Sequence, residues 1–149
     1  MKIRKLISRL RIDKPKRFRL ADHDPAEGPV DVLVRALETV ADTDADMVSP
    51  MAAVRMRLFR TVPAVRGKAL QVQMAAQQQI ARELHAAFPG ELDRVSAAAL
   101  AGAFTGAVSG ALTALMDHDD APGDTTPEPA QLRAQVRQAT ELALRPWRR

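Results

Sequence analysis

Between Arg94 and Asp117 the chain runs for 22 residues without a charged side chain, and small residues recur through this stretch at a fixed step. Ala98, Gly102, Gly106 and Gly110 stand four apart, with Ala99, Ala103, Ala107 and Ala111 beside them. A step of four keeps residues near one face of an α-helix. Glycine inside a helix costs roughly 1 kcal/mol against alanine, so three of them need a packing reason. A stripe without side-chain bulk lets another helix approach closely. Three neighbours fit such a stripe: a twofold-related copy of the same helix, a helix of the same chain, or the partners of a membrane span. The membrane ranks last of the three. Ala, Gly, Ser and Thr supply little transfer free energy, and no aromatic anchors flank the stretch.

The rest of the composition agrees with helices. The chain has 149 residues, 46% of them hydrophobic, enough for one core. Only 3% are aromatic, tyrosine is absent and alanine is abundant. Alanine loses no side-chain entropy in a helix, whereas strands draw on β-branched and aromatic residues. Without cysteine there are no disulfides, thiolate metal sites or cysteine nucleophiles. No secretory pattern opens the chain, and a cytoplasmic location is expected.

Charge divides the sequence in two. Residues 1–20 hold nine Lys and Arg against the single acid Asp13, a net of +8, and the remainder carries −4. Four of the five lysines and three of the four isoleucines also lie in the first sixteen residues. The organisation expected is a basic leader at 1–20 and a helical domain at 21–149. In the leader, Ile3, Leu6, Ile7 and Leu10 alternate with cations as a short amphipathic helix that stops before Pro15. Lys2, Arg4, Lys5, Arg9 and Arg11 are its candidate contacts to nucleic acid or another anionic surface. Phosphate contact, a membrane surface, a transit peptide and a solvated tail all remain open for this segment.

The body predicts five helices, an all-α antiparallel bundle. Val30, Leu33, Val34, Leu37, Val40 and Ala41 form the first stripe, ended by the acids of 42–46. Ser49-Pro50 reads as an N-cap followed by proline at the first helical position. The helix after it carries two apolar faces, and Pro63 then breaks or kinks the chain. A long helix follows to about Phe88, with Val65, Ala69, Val72, Ala76, Ile80 and Leu84 in register, and Pro89-Gly90 stops it. The uncharged helix spans about 91–116. After an acidic loop, Thr126-Pro127-Glu128 caps the last helix, expected at 127–145, whose stripe is Leu132, Val136, Ala139 and Ala143.

Catalytic chemistry finds little footing. Asp22-His23-Asp24 and Asp117-His118-Asp119-Asp120 hold metal-ligand types, but adjacent residues seldom converge on one ion without helical or turn spacing. His85 has no second histidine in register and reads as a surface residue. Ser96 and Ser109 sit inside the apolar helix without the strand–turn–helix elbow of a nucleophile. The glycine spacing is helical and forms no phosphate cradle. Arg55, Arg57 and Arg60 read as a solvated edge of the second helix, in preference to the sharper alternative in which Arg55 reaches an anionic ligand. No metal, cofactor or catalytic residue is expected.

With this layout in place, the body resembles the regulatory half of the tetracycline-repressor (TetR) family. The resemblance rests on Leu20-Ala21-Asp22-His23-Asp24-Pro25, the helix at 30–41, Ser49-Pro50 and the run RLFRTVPAVRGKALQVQMAAQQQIARELHAAFPG at 57–90. The Ala/Gly-rich helix, the acidic loop and QLRAQVRQATELAL at 131–144 complete it. It covers roughly residues 20–149 and is a pattern of helices and breaks. It implies a small-molecule pocket enclosed by helices and a homodimer paired through the last two. The pocket would lie among the helices at 30–41, 50–62 and 64–88. Residue type and rough facing point to Met56, Phe59, Met74 and Phe104 as its lining for a small apolar or amphipathic ligand. The dimer face would use Ala98, Gly102, Gly106 and Gly110 with Val136, Ala139 and Ala143.

The family's DNA reader, a three-helix module ahead of this domain, needs roughly 40 residues, and about twenty precede the match. The resemblance therefore implies a sensing domain whose helix-turn-helix is missing or replaced. Sequence-specific DNA binding is not expected; weak non-specific contact through the leader is one of the readings open to that segment. A divergent but intact regulator that reads DNA through the basic leader is one rival reading, and a membrane-surface helical protein is another.

Overall fold

The computed structural model describes residues 20–43, 50–116 and 128–148. The leader helix and the acidic loop of the sequence reading lie outside these residues. Among the described residues the fold is all-α, with five helices and no strand. They are α1 (Pro29–Thr43), α2 (Pro50–Thr61), α3 (Pro63–Ala87), α4 (Arg94–Met116) and α5 (Pro129–Leu144), with single 3-10 turns at Leu20–Asp22 and Arg145–Trp147.

Four of the five helices begin on proline: Pro29, Pro50, Pro63 and Pro129. Proline there gives up no helical hydrogen bond, because the first N–H groups of a helix have no partner inside it, and its fixed φ already suits the helix. The same ring restricts the residue before it to extended backbone. Val62 obeys, at φ −114° and ψ 104°, and this single residue separates α2 from α3. Thus Pro63 starts a helix rather than kinking one. The last helix starts at Pro129 with Glu128 at its cap, two residues later than the Pro127 reading, because the second proline fits the first helical position.

α4 starts differently. Pro89 and Gly90 lie in a turn, after which Glu91 and Leu92 donate backbone hydrogen bonds to the Phe88 carbonyl at 3.1 and 2.9 Å. Asp93 then caps the helix, its Oδ1 accepting the Ser96 N–H at 2.6 Å. The start at Arg94 replaces the expected start near Glu91, since Leu92 is committed to the core ahead of it.

The core gathers at one end of the bundle. The start of α1 supplies Val30, Leu33 and Val34, the end of α3 Leu84, the start of α4 Ala97, Leu100 and Ala101, and the end of α5 Leu144. Leu20, Phe88 and Leu92 seal it from the connections. α4 packs most extensively against α3 on one side and α5 on the other. Sharing a core with Leu144 sets the beginning of α4 beside the end of α5, so the two run antiparallel.

Two stripes differ from the sequence reading. Val32 is fully buried although it falls off the α1 stripe, because the first turn of α1 buries Pro29, Val30 and Val32 and leaves only Asp31 exposed, while Val40 at the other end is 46% exposed. On α3, Val72 is 58% exposed and Ala76 lies at the surface, whereas Gln73 and Gln77 turn toward α4. Ion pairs of Arg137 with Glu38 and of Arg148 with Asp31 link α5 and the C-terminal segment to α1. Exposed pairs of this kind contribute less than about 1 kcal/mol each, so apolar burial holds the bundle together.

The Asp93 cap makes a pH-dependent contribution. Hydrogen bonds from the Ser96 backbone and side chain hold its carboxyl below the ordinary value. A depressed carboxylate stabilises the fold above its unfolded pKa, and that contribution disappears as pH falls through the folded value. Asp93→Ala is expected to lower the melting temperature by a few degrees at neutral pH and Asp93→Asn by less. In thermal melts across pH, the gap between wild type and Asp93→Ala should close as pH drops below the ordinary carboxylate value of about 3.9.

Candidate functional site

Beyond the packed end of the bundle, α1, α3 and α4 diverge around a half-open apolar groove of about 380 Å³. The stripe of α1 supplies Leu33, Leu37 and Val40, α3 supplies Ala76 and Ile80, and α4 supplies Phe104 and Val108. Leu20 closes the end nearest the core. This size lies within the range of small-molecule pockets, whose walls are mostly apolar with a few placed polar groups.

Those polar groups lie along the α3–α4 seam. Gln73 Nε2 donates to Ser109 Oγ at 3.0 Å, and Thr105 Oγ1 approaches Gln77 Oε1 at 3.3 Å while donating to the Ala101 carbonyl at 2.9 Å. Glu83 Oε1, at the groove's edge, accepts from Gln79 Nε2 at 2.7 Å. With these groups engaged by one another, the groove presents chiefly hydrocarbon. Its chemistry suits an apolar molecule with one or two hydrogen-bonding atoms, and no nucleophile and base stand together in it.

The four residues expected to line a pocket are dispersed. Phe104 lines the groove and packs against the core. Met74 is 62% exposed on the outer side of α3 and takes no part. Phe59 is half-buried on α2 outside the groove, and the Met56 side chain lies outside what the structure describes. The residues lining the groove come from α1, α3 and α4 rather than from α1, α2 and α3, because α2 packs chiefly on α3. Gln73 and Ser109 were the least visible in sequence, since amides and hydroxyls at helical spacing read as a solvated face.

The small-residue stripe of α4 does not stay on one side. Four residues turn a helix by 400°, so each step drifts by about 40°. A Cβ at Gly102 would lie 3.1 Å from Gln77 Nε2, so this glycine serves the close packing of α3. At Gly106 and Gly110 a Cβ would meet nothing within 4 Å. Ala98 is exposed on the α3 side. On α5, Val136 is 6% exposed and belongs with Thr140 and Leu144 to the inner face of its own chain, which removes it from an outward seam. Ala139 is half-buried and Ala143 exposed. The large apolar side chains that do point outward are Val95 on α4 and Leu142 on α5, 77% and 64% exposed.

His23 is engaged within the fold: Nδ1 meets the Leu20 carbonyl at 2.8 Å and the ring lies 4.5 Å from that of Phe88. Asp24 Oδ1 accepts the Ala26 N–H at 2.9 Å and closes a local turn. His85 is half-buried rather than a surface residue, with Nδ1 2.9 Å from the Leu92 carbonyl. Arg55, Arg57 and Arg60 are exposed on α2, apart from the groove. The acidic cluster at 117–120 and the leader cations Lys2, Arg4, Lys5, Arg9 and Arg11 lie outside the described residues.

No family model, curated protein or solved structure matches the chain. The geometry therefore carries the functional reading.

Phe104 joins groove to core. Its replacement by alanine removes a partly buried ring, a loss of about 3 kcal/mol, at the lower side of the range for such truncations. Chemical denaturation should give a midpoint shift of that size with an unchanged slope.

Proposed function

We propose that residues 20–148 form a sensing and dimerising domain of the kind found in TetR-type transcriptional regulators, with the groove between α1, α3 and α4 as its small-molecule site. The groove carries the proposal: an apolar cavity of about 380 Å³ is walled by three helices whose own polar groups are already paired. An apolar or amphipathic ligand would replace water against Leu37, Ile80, Phe104 and Val108, burying hydrocarbon at about 25 cal/mol per Å².

The second half of the proposal is a homodimer through α4 and α5. Only 28% of the apolar window of α4 is buried within the chain, although Arg94–Leu115 is long and apolar enough to cross a membrane. A second copy covers such a face in water without a bilayer. Gly106 and Gly110 have open space around them, as close approach of another helix requires. A ligand that binds one spacing of α1 against the α3–α4 pair better than another would shift the population between them. Because α4 belongs both to the groove and to the proposed seam, that shift reaches the partner subunit. In this reading the domain performs no reaction, works in the cytoplasm and has no specific DNA contact of its own.

A solvatochromic apolar probe, Nile red, tests the site. It is expected to saturate at one molecule per chain, and Val108→Trp, which fills the groove, should weaken binding at least tenfold while leaving the circular dichroism spectrum intact. Unchanged affinity in a folded Val108→Trp variant would remove the groove as the binding site.

A further inference from the structure

A second cavity of about 280 Å³ lies on the other flank of the α3–α4 seam, and its chemistry is opposite to that of the groove. Its polar walls are Gln77, Gln78, Arg82 and His85 of α3 and Arg94 of α4, with Ala81 and Ala98 as its floor. Two guanidinium groups and an imidazole thus share one cleft, and no carboxylate is among its lining residues.

The nearby anions have hydrogen-bond partners of their own. Asp93, next to Arg94 in the chain, caps α4 through the Ser96 N–H at 2.6 Å and also interacts electrostatically with His85. Glu83 accepts from Gln79 on the groove side. Arg82 Nη2 donates to the Gln79 side-chain oxygen at 2.9 Å, a neutral partner that leaves its charge uncompensated. His85 Nδ1 must carry the proton facing the Leu92 carbonyl, because a carbonyl only accepts, and this leaves Nε2 as the ring's remaining polar atom.

Arg94 is placed most unfavourably of all. It is the first residue of α4, where the helix dipole is positive and a cation is disfavoured. Among the described residues it has no ion-pair or hydrogen-bond partner. A bound anion would pair with the two guanidinium groups that share the cleft.

We propose that this cleft is a binding site for a phosphate monoester. Two arginines present planar donor forks that match phosphate oxygens, and two guanidinium charges in a lining without a carboxylate suit a dianion better than a monoanion. The cavity holds more than a phosphate ion, and the amides of Gln77 and Gln78 offer hydrogen bonds to the group the phosphate is attached to. Ala98 supplies the room: a larger side chain there would fill the cleft floor. The site is separate from the apolar groove and does not rest on the regulator reading.

Isothermal titration of the full chain with phenyl phosphate, inorganic phosphate and benzoate tests the proposal. Phenyl phosphate is expected to bind at one site per chain, more tightly than inorganic phosphate and at least tenfold more tightly than benzoate. The double variant Arg82→Gln/Arg94→Gln should lose at least tenfold in phenyl phosphate affinity, whereas Arg66→Gln, an exposed cation outside the cleft, should change it less than twofold. Both cleft arginines are exposed, and equal melting temperatures would verify that the fold is kept. Inorganic phosphate binding as tightly as phenyl phosphate would overturn the monoester assignment in favour of the free ion. Benzoate binding equally well would overturn the phosphate assignment. Retained affinity in the double variant, or no binding by any of the three, would overturn the site.

Discussion

A helix of 22 consecutive uncharged residues cannot stand alone in water, and the arrangement of this chain follows from what covers α4. Its first turns are covered by the chain itself: Ala97, Leu100 and Ala101 meet Leu84 of α3 and Leu144 of α5, with the first turn of α1 completing the packed end. Further along, α3 and α5 continue to flank it, but α1 diverges and leaves the apolar groove. The remaining surface of α4, including Gly106 and Gly110, has no cover among the described residues. Core, groove and open face are thus successive stretches and sides of one helix. A change in how α4 is seated is felt in all three.

The α3–α4 seam explains how such a helix can be both packed and adjustable. A seam of interlocked Leu and Phe side chains resists sliding because each shift opens voids. Here much of the contact is made by Gln73 and Gln77 against Ser109, Thr105 and Gly102. Amide and hydroxyl partners do not interlock in this way, and the proposed response to a ligand would draw on that freedom. α3 carries groove residues such as Ala76 and Ile80 on one flank and cleft residues such as Arg82 and His85 on the other. A ligand bound on either flank, as proposed above, would act on the same seam, so the two cavities would be linked through one helix pair rather than through a chain of intermediates.

Much of the fold was legible in the sequence, because the punctuation is local. Proline at the first helical position and the Pro89-Gly90 turn act through backbone geometry alone, and they set the helix boundaries to within a few residues. What was not legible depends on neighbours. Val32 is buried because the first turn of α1 is covered on more than one side, a fact its periodicity does not contain. Gln73 and Gln77 face inward because α4 offers hydroxyls and a glycine opposite them, so their polarity misleads when α3 is read alone. The glycine step of four was visible, but its drift around α4 divides it between an internal contact at Gly102 and open positions at Gly106 and Gly110. The groove's α1 wall was foreseeable from the stripe of Leu33, Leu37 and Val40; its α4 wall, Phe104 apart, required the tertiary arrangement.

The central claim is that a second copy of the chain covers the open face of α4. Sedimentation equilibrium of the full chain in aqueous buffer without detergent tests it most directly. The account predicts a single soluble species at twice the 16.3 kDa chain mass, maintained on dilution through the micromolar range. A species at the mass of one chain throughout, even at the highest concentration reached, would contradict it.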